Sequence, residues 1–189
     1  MTIITDKQLN LKRPHAMTIG KFDGMHAGHI ALVRKTVGYA KSLGVSSLVF
    51  TFYPNPVSVL SGKPFEPLIT ERQKISILSG MGIDTMVNYP FDREFADISP
   101  GAFIELIFRD LECRALVVGE SFRFGKDRSG EDSMLAEAGD SYGAIVEIVK
   151  NIEIDGVPVS SSRIRKAAAD KDFALAERLL GRPIKEAFL

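Results

Sequence analysis

The chain is short of several things, and each shortage excludes a class of protein. One cysteine, Cys113, stands among 189 residues, so neither a disulfide framework nor a cysteine-built zinc site can form. It falls between a helical and a strand pattern, where plain packing is its expected role. Net charge is also missing. The 24 basic and 24 acidic residues balance, leaving no overall field for nucleic acid or a membrane surface. Any anion site must therefore come from local clustering. No apolar run approaches the length that spans a bilayer. Met1 to Arg13 lacks the apolar core of a secretory signal. What remains is 45% hydrophobic, enough for a full core in one α/β domain. A cytoplasmic location is the expectation.

The residues that are present alternate between two periods. Ala16–Ile19 reads as a first strand. Ile30–Leu43 carries Val33, Val37 and Ala40 at helical spacing, and Gly44 is a good stop. Val45–Thr51 is a buried strand. Phe52–Pro67, broken by prolines, reads as an irregular loop. Thr70 to Gln73 has the form of a capping box, with a helix to about Met81. Thr85–Asn88 is a short strand. Ser99-Pro100 offers an N-cap and N1 proline for a helix to about Leu111. Ala115–Gly119 is a strand, and the basic, glycine-rich stretch Phe124–Glu131 a loop. Met134–Tyr142 follows as a helix and Ala144–Val149 as a strand. Ile152–Val159, around Asp155-Gly156, reads as a hairpin. Arg163–Ala169 and Phe173–Leu180 read as two terminal helices. This alternation predicts a doubly wound parallel α/β sheet, Rossmann-like, with ligands at the carboxyl ends of the strands.

The first strand runs into Gly20-Lys21-Phe22-Asp23-Gly24-Met25-His26-Ala27-Gly28-His29. Strand, glycine-rich turn and helix together hold phosphate, because backbone N–H groups and the helix N-terminus face the anion. No G-K-[ST] closes the turn, so it is not a Walker loop, and it lacks the G-x-G-x-x-G dinucleotide fingerprint. A histidine at a helix start, or a glycine in a turn, is ordinary. G-x-F-D-G joined to H-x-G-H is not, and it points imidazoles at phosphorus chemistry. Farther on, Ser160-Ser161-Ser162-Arg163-Ile164-Arg165 sets hydroxyls and guanidinium groups at a helix start, suited to phosphate oxygens. Arg123, Lys126 and Arg128 are interleaved with Phe122 and Phe124. They fit either a solvated basic loop or one closing over phosphate and a flat aromatic ligand.

These segments resemble the FMN adenylyltransferase module of prokaryotic FAD synthetases, of the H-x-G-H nucleotidyltransferase superfamily. The matching stretches are GKFDGMHAGH at 20–29, TFYPNP at 51–56, VVGESFRFGKDRSG at 117–130, SSSRIR at 160–165 and LLGRP at 179–183. The resemblance implies a nucleotidyltransferase-type domain over residues 1–183 with a small C-terminal helical tail, 184–189 being the tail's end. It implies AMP transfer from ATP to FMN, giving FAD and pyrophosphate with Mg²⁺. It casts His26, His29 and Arg165 as catalytic. Gly20, Lys21, Phe22, Asp23, Gly28, Ser160, Ser161, Ser162 and Arg163 would hold ATP. Phe52, Pro54, Asn55, Pro56, Ser121, Phe122, Arg123 and Phe124 would line the flavin side. No protein ligand to a metal is assigned, because Mg²⁺ on a triphosphate keeps mostly water and phosphate ligands. Asp23 is expected to orient the turn.

Asn55 stands where the family often has histidine, and Ser121 where it commonly has Asp or Asn. The family's riboflavin kinase barrel is expected to be absent from these 189 residues. Two other readings stay open. One is an H-x-G-H nucleotidyltransferase with another phosphate acceptor. The other is a flavin-nucleotide carrier without catalysis.

Overall fold

The computed structural model describes residues 1–9, 11 and 13–184. The chain opens with a three-residue strand, β1 (Thr2–Ile4), and enters the core with β2 (His15–Ile19), buried along its length. Helix α1 (Ala27–Leu43) starts three residues earlier than its periodicity predicts, because His26 caps it. It ends at Gly44, whose left-handed φ of 65° returns its N–H to the last carbonyls. Strand β3 (Ser46–Tyr53) follows. The segment expected to be irregular then contains a short helix, α2 (Pro56–Ser61), with Asn55 as N-cap and proline at N1. Read as breakers, these prolines masked a helix start. The capping box holds in both directions at α3 (Glu71–Gly80): Gln73 N–H donates to Thr70 Oγ1, and Thr70 N–H to Gln73 Oε1.

After β4 (Thr85–Pro90) comes a single turn, α4 (Arg93–Ala96), capped by Asp92. Helix α5 (Pro100–Glu105) is capped by Ser99 and widens over Leu106–Asp110, where Leu111 N–H reaches back to Leu106 O at 3.0 Å. Strand β5 (Cys113–Gly119), helix α6 (Asp132–Tyr142) and strand β6 (Ile145–Val149) complete the sheet. The hairpin β7 (Glu153–Ile154) and β8 (Val157–Pro158) leads to α7 (Ser161–Ala169) and α8 (Phe173–Leu180). Of the expected tail, 185–189 lie outside the described residues.

The six sheet strands run in the order β1-β4-β3-β2-β5-β6, all parallel. From β2 the chain winds outward through β3 and β4, then returns to β5 on the other side. The switch point thus lies between β2 and β5, and a crevice opens at their carboxyl ends. Both faces are covered, so side chains alternate into two cores. Met17, Leu48, Phe50 and Leu116 face one with Phe103 and Ile107; Val49 and Met86 face the other with Val33 and Leu78. Cys113 is fully buried at the start of β5, and burial pushes its thiol pKa up, which leaves it inert. Among the described residues no helix is long and apolar enough to cross a membrane.

Candidate active site

The turn after β2 is held in an unusual backbone. Phe22 (φ 49°), Gly24 (φ 84°) and Met25 (φ 43°) all lie in the left-handed region. Two of them are bulky, and such a conformation persists only when its surroundings over-determine it. Here they do. The Phe22 and Met25 side chains are fully buried in the core behind the turn. A Cβ on Gly24 would meet Leu68 Cδ1 at 2.9 Å. Asp23 Oδ1 accepts from Leu68 N–H at 2.7 Å, and its Oδ2 pairs with Arg165 Nη2 at 2.7 Å. Its carbonyl accepts from the Ser161 hydroxyl at 2.8 Å. Asp23 thereby ties the turn to the loop before α3 and to α7. Of the residues expected to bind ATP here, Phe22 is fully buried and borders neither cavity.

His26 is the N-cap of α1: its Nδ1 accepts from His29 N–H at 3.4 Å. The two imidazoles stack at 3.7 Å, with 17° between planes. Gly28 makes room for this, since a Cβ there would lie 3.2 Å from the His26 ring. Burial lowers the His26 pKa to about 4, Arg182 adding to the effect and Asp23 opposing it. Burial, then the charges of His26, Lys21, Lys74 and Arg182, hold His29 well below its ordinary value. Both rings are therefore neutral at pH 7 in the free protein. His29 Nδ1 is enclosed with no hydrogen-bond partner among the described residues.

The second motif divides. Ser160 caps α7, accepting from Arg163 N–H, and Ser162 stays exposed. Arg165 donates to Asp23 and to Glu66 O, and its guanidinium lies 4.9 Å from the Phe65 ring centre. Arg163 turns the other way. It donates to the carbonyls of Ile154 and Val157, locking the β7–β8 hairpin. Residues 163 and 165 are two apart on a helix, which sets them on different faces. Arg163, expected to hold ATP, is engaged by the hairpin and borders neither cavity.

Two cavities open at the carboxyl edge. The larger, about 720 Å³, is walled by Phe52, Phe91, Phe95, Phe103, Phe122 and Phe124. Pro56, Ser121 and Arg123 also line it, and Arg93 and Arg128 stand at its edge. The smaller, about 450 Å³, is lined by Asp23, Asn55, Ser161, Ser162 and Arg165. Lys21 borders both. Asn55, expected on the flavin side, lies on the smaller cavity, and its Oδ1 accepts from the Val57 N–H as a helix cap. Pro54 borders neither cavity, and neither do His26 and His29.

One contributor was not anticipated. Arg182, from the Gly-Arg-Pro segment after α8, donates Nη1 to Met25 O at 2.7 Å and Nη2 to Gly24 O at 2.5 Å. Nothing local to residue 182 signals this; its partners are 157 and 158 residues away. Among the described residues no group of three or more His, Cys, Asp or Glu is placed to hold a metal ion.

A parallel sheet with its switch point between β2 and β5, and an H-x-G-H turn under a basic, hydroxyl-lined cleft, define the nucleotidyltransferase type of α/β domain. Two solved pantoate-β-alanine ligases share the fold: those of Francisella tularensis (TM-score 0.52, 16% identity, 92% of this chain, 76% of that one) and Thermus thermophilus (0.52, 15%, 96% and 81%). A crystal structure from Streptococcus pneumoniae described as a macrolide-efflux protein superposes with TM-score 0.82 at 25% identity, over 96% of this chain and 61% of that one. Residues 8–163 match the FAD synthetase family, and the chain belongs to it. The bifunctional riboflavin kinase/FMN adenylyltransferase of Pseudomonas fluorescens is 37% identical over 180 residues, 93% of this chain and 58% of that protein. That of Haemophilus influenzae is 36% identical over 172 residues, 90% of this chain and 56% of that protein. The chain thus spans somewhat more than half the length of these curated relatives.

Proposed function

We propose that this chain transfers AMP from ATP to FMN, giving FAD and pyrophosphate. The observation that carries the reading is the pairing of cavities at one sheet edge. One is walled by phenylalanines and suits a flat ring system. The other offers hydroxyls and a guanidinium and suits phosphates. They share a border, as donor and acceptor must. The relatives named for the same activity support it.

The FMN phosphate is already a nucleophile at neutral pH, so no strong base is needed. The barrier lies in bringing two anions together and in charge building on the departing pyrophosphate. Positioning and positive potential are what the protein supplies. In this reading an oxygen of the FMN phosphate attacks the α-phosphorus in line, and the bond to the β-bridging oxygen breaks. His29 and His26 border neither cavity in the free protein; in this reading ATP binding brings the neutral His29 N–H to the α-phosphate. Ser162, and the donors of Arg165 that its bonds to Asp23 and Glu66 O leave over, hold the leaving phosphates. Mg²⁺ enters with ATP as part of the substrate, its ligands drawn from phosphate and water. ATP as co-substrate fits the cytoplasmic location expected from composition.

The test is pyrophosphate release from ATP and Mg²⁺ with FMN or riboflavin as acceptor, with chromatography of the flavins. FAD is expected from FMN. Riboflavin carries no phosphate nucleophile and should give none. FMN retained without pyrophosphate release would overturn the reading in favour of a flavin carrier. His29→Ala should lower kcat/KM by on the order of 10²–10³. Ser162→Ala with Arg165→Ala should weaken ATP more than FMN.

A further inference from the structure

Lys21 stands apart from the other cations of the cleft by bordering both cavities; Arg93 and Arg128 form no ion pair among the described residues either, but they line the larger cavity alone. It follows Gly20 at the carboxyl end of β2, beside the switch point. Its backbone is pinned between strands: Gly20 N–H donates to Phe50 O at 3.1 Å, and the Thr51 hydroxyl donates to Lys21 O at 3.3 Å. The residue is reached by solvent although its ammonium is crowded by the cleft, and among the described residues it forms no ion pair. Arg165 is committed to Asp23, and Arg123 to the carbonyls of Glu120 and Phe122. Among the described residues only Lys21 and Val57 border both cavities, so Lys21 is the one cation they share there.

Resting on the adenylyl-transfer reading, we propose that Lys21 is a catalytic residue that bridges the two reacting phosphates. Its ammonium sits where the 5′-phosphate of FMN, entering from the aromatic cavity, meets the α-phosphate of ATP. There it offsets the repulsion between two anions as the new P–O bond forms. The electron pair of the broken bond leaves with pyrophosphate, and the lysine keeps its proton throughout. A compact ammonium with three donors can face two phosphates at once, which a guanidinium fixed in one plane does less well. The ligand-free cleft holds the ammonium pKa below its ordinary value, first by burial against the walls and then through Arg128 and Arg165, while Asp23 opposes. Anionic substrates, once bound, oppose that shift and hold the proton on the ammonium.

The experiment compares wild type, Lys21→Met and Lys21→Arg in steady-state FAD formation, with each substrate titrated separately. Lys21→Met should lose on the order of 10²-fold in kcat. KM for ATP and for FMN should each move far less, because the group acts where both phosphates meet. Lys21→Arg should recover part of kcat. In wild type, kcat/KM should fall on an alkaline limb below the ordinary lysine range, and Lys21→Met should lack that limb. A variant that keeps kcat and only raises KM for ATP makes Lys21 a nucleotide-binding residue and overturns the proposal. Undiminished Lys21→Met activity overturns it as well. A wild-type protein that forms no FAD fails earlier, on adenylyl transfer itself, and the two failures are told apart by that control.

Discussion

At the scale of single residues, the two motif histidines behave differently from what their spacing suggests. H-x-G-H reads as imidazoles offered to phosphate, but burial keeps both neutral in the free protein. NMR titration of the three histidines should show His26 titrating near pH 4, not near 6.5. Saturating Mg·ATP should raise that value. A depressed histidine pKa means that the unfolded chain binds protons first, so stability is intact above pH 6.5 and falls as pH drops from 6.5 to about 4. For His26 alone this is about 3 kcal/mol. His29 and His15, also lowered by burial, act with the same sign. Thermal unfolding at pH 7, 5.5 and 4 checks this; a Tm that is flat over that range would show that the rings are not held neutral. Gly28→Ala should displace the His26 ring and cut kcat/KM at least tenfold, with only a small change in Tm. That result would separate a catalytic role of the ring's position from its role in the fold.

At the scale of elements, helix ends were legible because their signals are local. Gly44, the Thr70–Gln73 box and Ser99-Pro100 each act within a few residues of themselves. Asn55-Pro56 carried the same kind of signal, hidden among the prolines of its loop. Strand β1 was not legible: three residues, two of them exposed, have no pattern of their own and owe their conformation to pairing with β4. The direction of Arg163 was not legible either, since it depends on where the hairpin lies. Arg163→Met should therefore lower Tm while leaving KM for ATP within about twofold, whereas Arg165→Met should raise KM for ATP. Equal effects on KM would return Arg163 to the phosphates. Arg182→Ala removes two charge-assisted bonds to the strained turn and should cost about 2–3 kcal/mol in urea unfolding. Activity should fall with it, because the turn carries His26.

At the scale of the molecule, function follows from where the winding reverses. The reversal between β2 and β5 sets the H-x-G-H turn, the end of β3 and the segment after β5 along one edge. Six phenylalanines from four stretches of chain converge there into one wall. Phe122→Ala should raise KM for FMN roughly tenfold, the order expected for one lost aromatic contact, and leave KM for ATP alone. Fluorescence quenching of FMN would give the affinity directly. By itself the sequence determined the alternation of strands and helices, the two motifs that mark the cleft and the family resemblance. All of these rest on periodicity or on interactions a few residues long. Tertiary structure alone decided which motif residues face the cleft, which are consumed in holding it, and that Arg182 belongs to the site. Those outcomes depend on contacts between residues more than a hundred positions apart, and no local pattern encodes the distance between them.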